Sequence, residues 1–217
     1  MTTTLTERPG VLRRAGSFAV RALRLELGIY AAIGRAIARR KAIPRGAVGL
    51  PYHQPVMTIL IIFIVLSAIE IPIVDLIVHQ WPAVRIAFLV LGIWGVTWMI
   101  GLLCAFLMRP HTVGPDGVQV REGIEIDIPL AWDDVLSIER SPRVDEPKSP
   151  RFEGEGDERT LVLRMQDETN ILITLERPTA VRLPGLAPKG GTQIVSAVRL
   201  WTDDPTGYLD AVRTHMP

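Results

Sequence analysis

Two long apolar stretches joined by a short polar link constrain the fold of this chain more than any other feature of its sequence. Residues 56–78 are 23 residues in which only Glu70 and Asp75 are charged, and residues 86–108 are another 23 without a charge. Because an α-helix rises about 1.5 Å per residue, each stretch would extend roughly 34 Å, enough to cross a hydrocarbon core of about 30 Å. The sequence therefore predicts a transmembrane α-helical hairpin over residues 55–108.

The charges on either side of this hairpin predict its direction in the membrane. Residues 1–54 carry ten Arg or Lys against two acidic residues, whereas residues 109–217 carry thirteen basic and nineteen acidic residues. The link, residues 79–85, holds a single Arg. Since basic residues beside a span favour the cytoplasmic side, we expect a multi-pass protein of the inner cell membrane with both termini in the cytoplasm.

The segment before the hairpin is predicted to contain a basic amphipathic helix. Residues 1–10 are expected to form a disordered tail, and residues 11–41 a helix whose basic and apolar side chains fall on opposite sides. That pattern is typical of a helix lying in a membrane interface; the alternative is a helix packed on the acidic C-terminal domain. The residues expected to contact the anionic inner leaflet are Arg13, Arg14, Arg21, Arg24, Arg35, Arg39, Arg40 and Lys41.

Small residues in the second apolar stretch predict close helix packing. Gly92, Gly95 and Gly101 would let a neighbouring helix approach closely. Packing within the hairpin is the simpler interpretation, and a seam between two copies is the alternative.

Two carboxylates in the first apolar stretch are the candidate intramembrane functional residues. Asp75 lies near the outer boundary, where it can reach water, but Glu70 lies about eight residues further inside. An unpaired charge there is costly and indicates either a function or a partner. A structural or partner-contacting role is the preferred interpretation. The alternative, a proton or cation relay, would have only Ser67 and Thr97 as nearby polar side chains.

Beyond the hairpin the apolar period changes to two, which is typical of β-strands. Residues 161–165 and 171–175 are predicted to pair across a turn, and residues 141–159 to form a flexible loop. Asp203 and Asp204, followed by proline, predict the start of a final helix. The pattern indicates a mostly-β, α+β domain: a bent antiparallel sheet or barrel capped by a C-terminal helix.

Three short segments add a resemblance to this pattern. They are RPHTVGPDGVQVREG at residues 109–123, IPLAWDDV at residues 128–135 and VRLWTDDPTGYL at residues 198–209. Together with the preceding pair of spans, they resemble bacterial PH-like domain membrane proteins of the high-GC type. The resemblance implies a PH-like cytoplasmic domain over residues 109–217, used for binding or assembly, and supplies no catalytic residues. Phosphoinositide binding is disfavoured, because the first hairpin of the domain combines Arg121 with acidic residues.

The remaining motifs favour a protein without catalytic chemistry. No Walker-type phosphate loop, HExxH motif or serine nucleophile elbow is present in the sequence. The aspartate pairs at residues 133–134 and 203–204 are interpreted as structural caps. We therefore expect no enzyme, cofactor, metal site or nucleic-acid partner.

The preferred function is a scaffold or accessory subunit of an envelope process. Its expected partners are the bilayer and either other membrane proteins or further copies of the chain. The alternative is a small oligomeric transport or channel-like component with Glu70 as its working group.

Overall fold

The structure, a computed structural model, describes residues 11–146, 151–154, 156–185 and 190–216. The described residues contain four α-helices, which are α1, Val11–Ile37; α2, Gln54–Ile77; α3, Pro82–Met108; and α4, Pro205–His215. They also contain nine strands, which are β1, Val48–Leu50; β2, His111–Gly114; β3, Gly117–Glu122; β4, Ile126–Leu130; β5, Val135–Arg143; β6, Arg151–Glu153; β7, Thr160–Leu163; β8, Thr169–Leu183; and β9, Gly191–Leu200. The tail expected at residues 1–10 lies outside the described residues.

Helices α2 and α3 form the two apolar arms predicted from the sequence. Both are long and apolar enough to cross a membrane. In the most apolar 18 residues of each helix, only 0% of α2 and 6% of α3 is buried within the chain. A helix that is apolar all round and also unburied belongs in a membrane rather than in a soluble core. Each helix has a proline in its first turn, which is tolerated because the N–H groups of the first turn make no hydrogen bond within the helix. Helices α2 and α3 accordingly begin two and four residues before the predicted spans.

The strands form two sheets within the described chain, in the orders β1-β2-β3-β4 and β5-β8-β9-β7-β6. Neighbouring strands are antiparallel except β7 and β9, which are parallel. Helix α4 lies against strands of both sheets and buries Tyr208, Ala211 and Val212. A helical hairpin followed by a sheet domain with a C-terminal helix is therefore confirmed.

One predicted strand pairing is wrong. Residues 161–165 and 171–175 do not pair as a hairpin; within the described residues, an isolated bridge between Met165 and Glu168 joins them. Strand β9 lies between β7 and β8 instead. Residues 197–200 of β9 are all buried, which marks a central strand covered on both faces. Such a strand needs a neighbour on each edge to pair its backbone groups, and β7 and β8 are those neighbours.

The segment predicted as a flexible loop, residues 141–159, is partly strand. Strand β5 continues to Arg143, and β6 pairs antiparallel with β7. The Phe152 side chain packs against the core, and the guanidinium of Arg159 lies over its ring, 5.0 Å from the centroid. An aromatic side chain that covers apolar surface, with a cation on its face, stabilises an edge strand that composition alone would not predict.

Apolar side chains from both sheets and from α4 form one core cluster. Its members with no exposed surface are Val113, Val120, Leu161, Ile171, Ile173, Val195, Val198, Leu200 and Tyr208. Each such side chain contributes on the order of 1.5–3 kcal/mol through burial. The apolar residues at alternate strand positions form this core. The core stabilises the domain surface that the hairpin contacts.

Candidate functional site

The base of the hairpin, defined here as the region where β1, β2, Pro51–Gln54 and the ends of α2 and α3 meet, is closed by strand pairing. Strand β1 precedes α2, β2 follows α3, and the two pair antiparallel with Leu50 opposite His111. The amide of Ala42 also donates a hydrogen bond of 2.8 Å to the carbonyl of Met108, the last residue of α3. Both ends of the hairpin are thus built into the first sheet of the domain.

Asp203 caps the first hairpin helix from the far end of the chain. Its carboxylate accepts hydrogen bonds from the amides of His53 at 3.0 Å and Gln54 at 3.1 Å. The first amides of a helix have no acceptor within the helix, and a negative charge there interacts favourably with the helix dipole. The sequence predicts Asp203 and Asp204 as caps of α4, but in the structure only Asp204 has that role, accepting from Gly207 N at 2.9 Å.

A chain of buried polar contacts connects this cap to the sheets. The carbonyl of Pro51 accepts from the Asp203 amide at 2.9 Å and from the Thr202 hydroxyl at 3.1 Å. The side chain of Asn170 on β8 holds the backbone of Thr202 with two hydrogen bonds of 2.7 and 2.9 Å. Because these groups are shielded from water, breaking one bond would leave an unpaired buried partner, so the contacts act together to fix the start of α2.

Tyr52 fills the space between the hairpin and the domain. Its side chain is 1% exposed, its ring lies 4.5 Å from that of His111, and it meets the ring of Phe106 on α3 edge-on at 5.8 Å. The amide of Gly123 donates to its hydroxyl at 2.9 Å. Burial raises the pKa of the Tyr52 hydroxyl, so Tyr52 stays neutral and acts as a packing wedge.

His111 is a buried, neutral connector. Its Nδ1 accepts from the amide of Arg121 at 3.0 Å, which leaves Nε2 as the protonated nitrogen that donates to the carbonyl of Trp201 at 3.0 Å. Burial lowers the pKa of His111 to about 4. The imidazole therefore joins β2, β3 and the segment before α4 without carrying charge at neutral pH.

Two arginines beside the base share one carboxylate. Arg109 and Arg121 donate to Asp127 at 3.0 and 3.3 Å. Arg121 also donates to the Gln119 side chain at 2.7 Å and to the carbonyl of Ala42. Its guanidinium is 6% exposed and fully engaged by its own chain, so it is a structural cation that connects β3 to the segment following α1.

Glu122 is one of two residues in this region, with His53, that have a buried side-chain atom without a hydrogen-bond partner among the described residues. Its Oε2 atom is buried and has no hydrogen-bond partner among the described residues. Burial raises the pKa of this carboxyl to about 7, although the positive charge of Arg164 opposes part of that rise. Glu122 thus changes its protonation near neutral pH, directly beside the turn that holds Tyr52.

Helix α1 packs on α3 and on the β3–β4 turn through one face. Ile29 and Ala32 of this face are each 1% exposed, and Ile29 fits against Gly101 of α3, where an added Cβ would overlap it. Further along, Arg21 forms a bidentate ion pair with Glu125 of the turn, at 2.7 Å for both contacts. The packed-helix alternative therefore describes this face of α1.

The opposite face of α1 is apolar and uncovered in the described chain. Its exposed side chains recur every three, four or seven residues, so they share one side of the helix; they are Val20, Leu23, Leu27, Tyr30 and Ile37. Arg24 and Arg35 flank this stripe, are exposed, and form no ion pair with any other residue described. The helix thus presents an apolar surface with Arg24 and Arg35 along one edge, whereas the sequence pattern predicts basic and apolar side chains on opposite sides.

The predicted helix 11–41 ends earlier than the sequence pattern indicates. Arg40 N donates to Arg35 O at 3.0 Å, Arg39 N donates to Ala36 O at 3.1 Å, and Arg39 has φ 52°. These three features form a Schellman cap, which ends α1 at Ile37. Arg39, Arg40 and Lys41 are therefore exposed outside the helix. The side chains of Arg13 and Arg14 lie outside the part that the structure describes.

The two intramembrane candidates have different surroundings. Asp75 on α2 forms a bidentate ion pair with Arg85 on α3, at 2.6 and 2.9 Å, which joins the two helices across the link. That partner gives Asp75 a structural role. Glu70 is exposed on α2, and no hydrogen bond or ion pair reaches it from the described residues. In the described chain neither Ser67 nor Thr97 has a hydrogen bond to it; the Thr97 hydroxyl donates to the carbonyl of Ile93 at 2.8 Å.

The three glycines of α3 do not share the hairpin-packing role predicted for them. Gly92 faces Ile71 of α2, where an added Cβ would lie 2.8 Å from Ile71 Cγ1, so it does pack within the hairpin. Gly101 contacts α1 instead, and Gly95 has no neighbour within 4 Å in the described chain. The reason is that a third helix, α1, takes one face of α3.

No family model, curated protein or solved structure matches this chain. The residues that define the base were not found from the sequence. Asp203 and His111 act on groups that lie ten to 150 positions away, and Arg121 reaches the carbonyl of Ala42, 79 positions away, so no local pattern reports them. The nearest signal in the sequence is the pair Asp203 and Asp204 before proline, because α4 needs only one of these two carboxylates as its N-cap.

Removing the cap at Asp203 should loosen the start of α2. In Asp203→Ala the amides of His53 and Gln54 lose their acceptor, and a lost N-cap costs about 1 kcal/mol. Hydrogen exchange of the full chain in detergent should therefore be about fivefold faster at residues 53–57. Asp204→Ala is the matched control and should accelerate exchange at the start of α4 instead. Unchanged exchange at residues 53–57 in Asp203→Ala would contradict the assigned cap.

Glu122 should make stability fall as pH rises through neutrality. Its pKa is higher in the folded chain than the ordinary value of 4.5, so the folded state holds this proton more tightly and loses that advantage between about pH 5 and 7. The free energy of unfolding of Glu122→Gln, measured relative to that of the wild type, should therefore rise by about 2–3 kcal/mol between pH 5 and pH 8. His111 titrates in both proteins and cancels from the comparison. Unfolding followed by circular dichroism measures this; a pH-independent offset would contradict it.

Proposed function

We propose that this protein is a two-pass inner-membrane protein that holds a PH-like binding or assembly module against the cytoplasmic face of the membrane, as a scaffold or accessory subunit of an envelope process. The observation that carries the proposal is the closed base of the hairpin. Strand β1 enters the sheet before α2, and β2 continues it after α3. A domain joined in this way is held at a set position beside the bilayer, which suits a protein that presents a surface to others.

The distribution of charged residues supports a cytoplasmic position for α1 and the domain. The free cations Arg24, Arg35, Arg39, Arg40 and Lys41 lie on or just after α1, on the same end of the hairpin as the domain. Basic residues are retained on the cytoplasmic side of a span, and each gains on the order of 1 kcal/mol beside an anionic leaflet. Arg121 is occupied by its own chain, which supports a module that binds something other than a phosphoinositide headgroup.

A transport function is the weaker candidate. It would use Glu70, but Glu70 lies on an exposed side of α2 and has no hydrogen bond to Ser67 or Thr97 in the described chain. Its partner would have to come from another chain, so a relay within one copy lacks a path.

Topology and assembly can be tested together in the native host. In a Cys104→Ala background, a membrane-impermeant maleimide added to intact cells should label Gln80→Cys in the link and leave Ile194→Cys on β9 unlabelled. Permeabilised cells should label both. Crosslinking at Ile194 should then capture a reproducible membrane-protein partner. Labelling of Ile194→Cys from outside, or recovery of the bait alone, would contradict the proposal.

The lipid contact of α1 can be tested separately in vesicles. A fluorophore on Leu23→Cys, in the Cys104→Ala chain, should be quenched several-fold more by a nitroxide-labelled phosphatidylglycerol than by the matching phosphatidylcholine, because each free arginine favours the anionic lipid by about fivefold. Arg24→Gln with Arg35→Gln should bring the two lipids close to equality. Arg21→Gln should change little, since Arg21 is already paired with Glu125. Equal quenching in the wild type would contradict an anionic-lipid contact.

A further inference from the structure

We infer that the face of α2 around Glu70 is where a second copy of this chain docks, with the two Glu70 carboxyl groups paired across the symmetry axis. This inference goes beyond the proposed function, because it names a surface that neither the base nor α1 uses. The surface, called the Glu70 face here, is an apolar stripe with one carboxyl at its middle. Its exposed members are Phe63, Leu66, Ile73 and Ile77.

The position of Glu70 makes a partner necessary. It lies seven residues, or about 10 Å, from the end of α2, well inside a helix long enough to span the hydrocarbon core. A carboxyl left unpaired at that depth is costly, and such residues normally face a partner or water. Lipid chains offer no hydrogen bonds. Yet in the described part of the chain nothing bonds to the Glu70 side chain, and its stripe is uncovered.

The rest of the hairpin cannot supply that partner. Arg85, the single basic residue of the hairpin, is already bound to Asp75 by two hydrogen bonds. Helix α3 has no charged residue after Arg85, and it packs against a different side of α2, where Gly92 meets Ile71. Helix α1 covers α3 at Gly101 and leaves the apolar residues around Glu70 exposed. The partner must therefore come from outside this copy.

The chemistry of a carboxyl favours a second copy as the occupant. A protonated carboxyl has one donor and a remaining acceptor, so two of them form a closed, neutral pair with both hydrogen bonds made. In a twofold dimer, a residue on the axis meets its own copy, so the Glu70 face is complementary to itself without any other charge. The uncovered apolar residues on either side of Glu70 would pack in the same contact.

The dimer can be measured with full-length protein in vesicles. Two fluorescent labels on Ile194→Cys, in the Cys104→Ala chain, report association by energy transfer as the protein is diluted in lipid. Glu70→Leu should weaken association about tenfold, because it removes the hydrogen bonds between the helices. Glu70→Gln should keep most of it, since an amide can both donate and accept. Val90→Leu, on the exposed side of α3, is the control and should not change association.

Oxidative crosslinking locates the contact independently. Ile73→Cys on the Glu70 face should form a disulfide between copies, and Val90→Cys should not. Association of Glu70→Leu equal to that of the wild type would overturn the inference. So would a wild-type protein that stays monomeric at all lipid dilutions, including one that joins only a different membrane protein.

Discussion

The pairing of β1 with β2 is the constraint on which the rest of this structure depends. These strands flank the apolar hairpin in sequence and lie side by side in the first sheet of the domain. Adjacent strands are separated by about 4.8 Å, so their pairing brings the ends of α2 and α3 together. The domain in turn cannot complete that sheet without residues from both sides of the hairpin. Membrane insertion and domain folding are therefore coupled through one short ladder.

Charged and polar side chains stabilise the base of the hairpin. Asp203 caps α2, Asp127 receives two arginines, and His111 is held neutral between β2 and β3. The Asp203 cap joins segments 150 positions apart, and the other contacts join neighbouring segments of the first sheet, so together they stabilise the arrangement of elements rather than any one element. Glu122 is the single carboxyl of the junction that is buried without a hydrogen-bond partner among the described residues. Burial raises the pKa of the Glu122 carboxyl to about 7.

Helix α1 connects the hairpin and the domain through side-chain contacts. Its packed face reaches α3 at Gly101 and the domain at Glu125, so it lies in contact with both parts of the molecule. Its opposite face is apolar and edged with arginines.

Local periodicity was sufficient to predict the hairpin, most strands and the final helix, because each depends on which side chains are apolar within a short window. It failed wherever a distant group decides the outcome. Strand β1 is three residues, Val48–Leu50, among prolines and glycines, and exists because β2 offers it a partner. The parallel pairing of β7 with β9 joins residues 160–163 to residues 197–200, which no short window of sequence contains. At the candidate sites, the Glu70 signal was visible as a charge in an apolar run, but the partner of Asp75 and the second role of Asp203 required the folded chain.

The rigidity of the base of the hairpin is tested most directly by measuring the distance between two spin labels in a bilayer. Labels on Leu91→Cys of α3 and Ile194→Cys of β9, in the Cys104→Ala background, place one probe on the hairpin and one on the domain. Labels on Leu136→Cys and Ile194→Cys, both within the domain, give the reference width. A closed base predicts one narrow distance distribution for the first pair, as narrow as the reference. A broad distribution for that pair alone would mean that the domain swings on a tether, and would contradict the coupling of hairpin and domain.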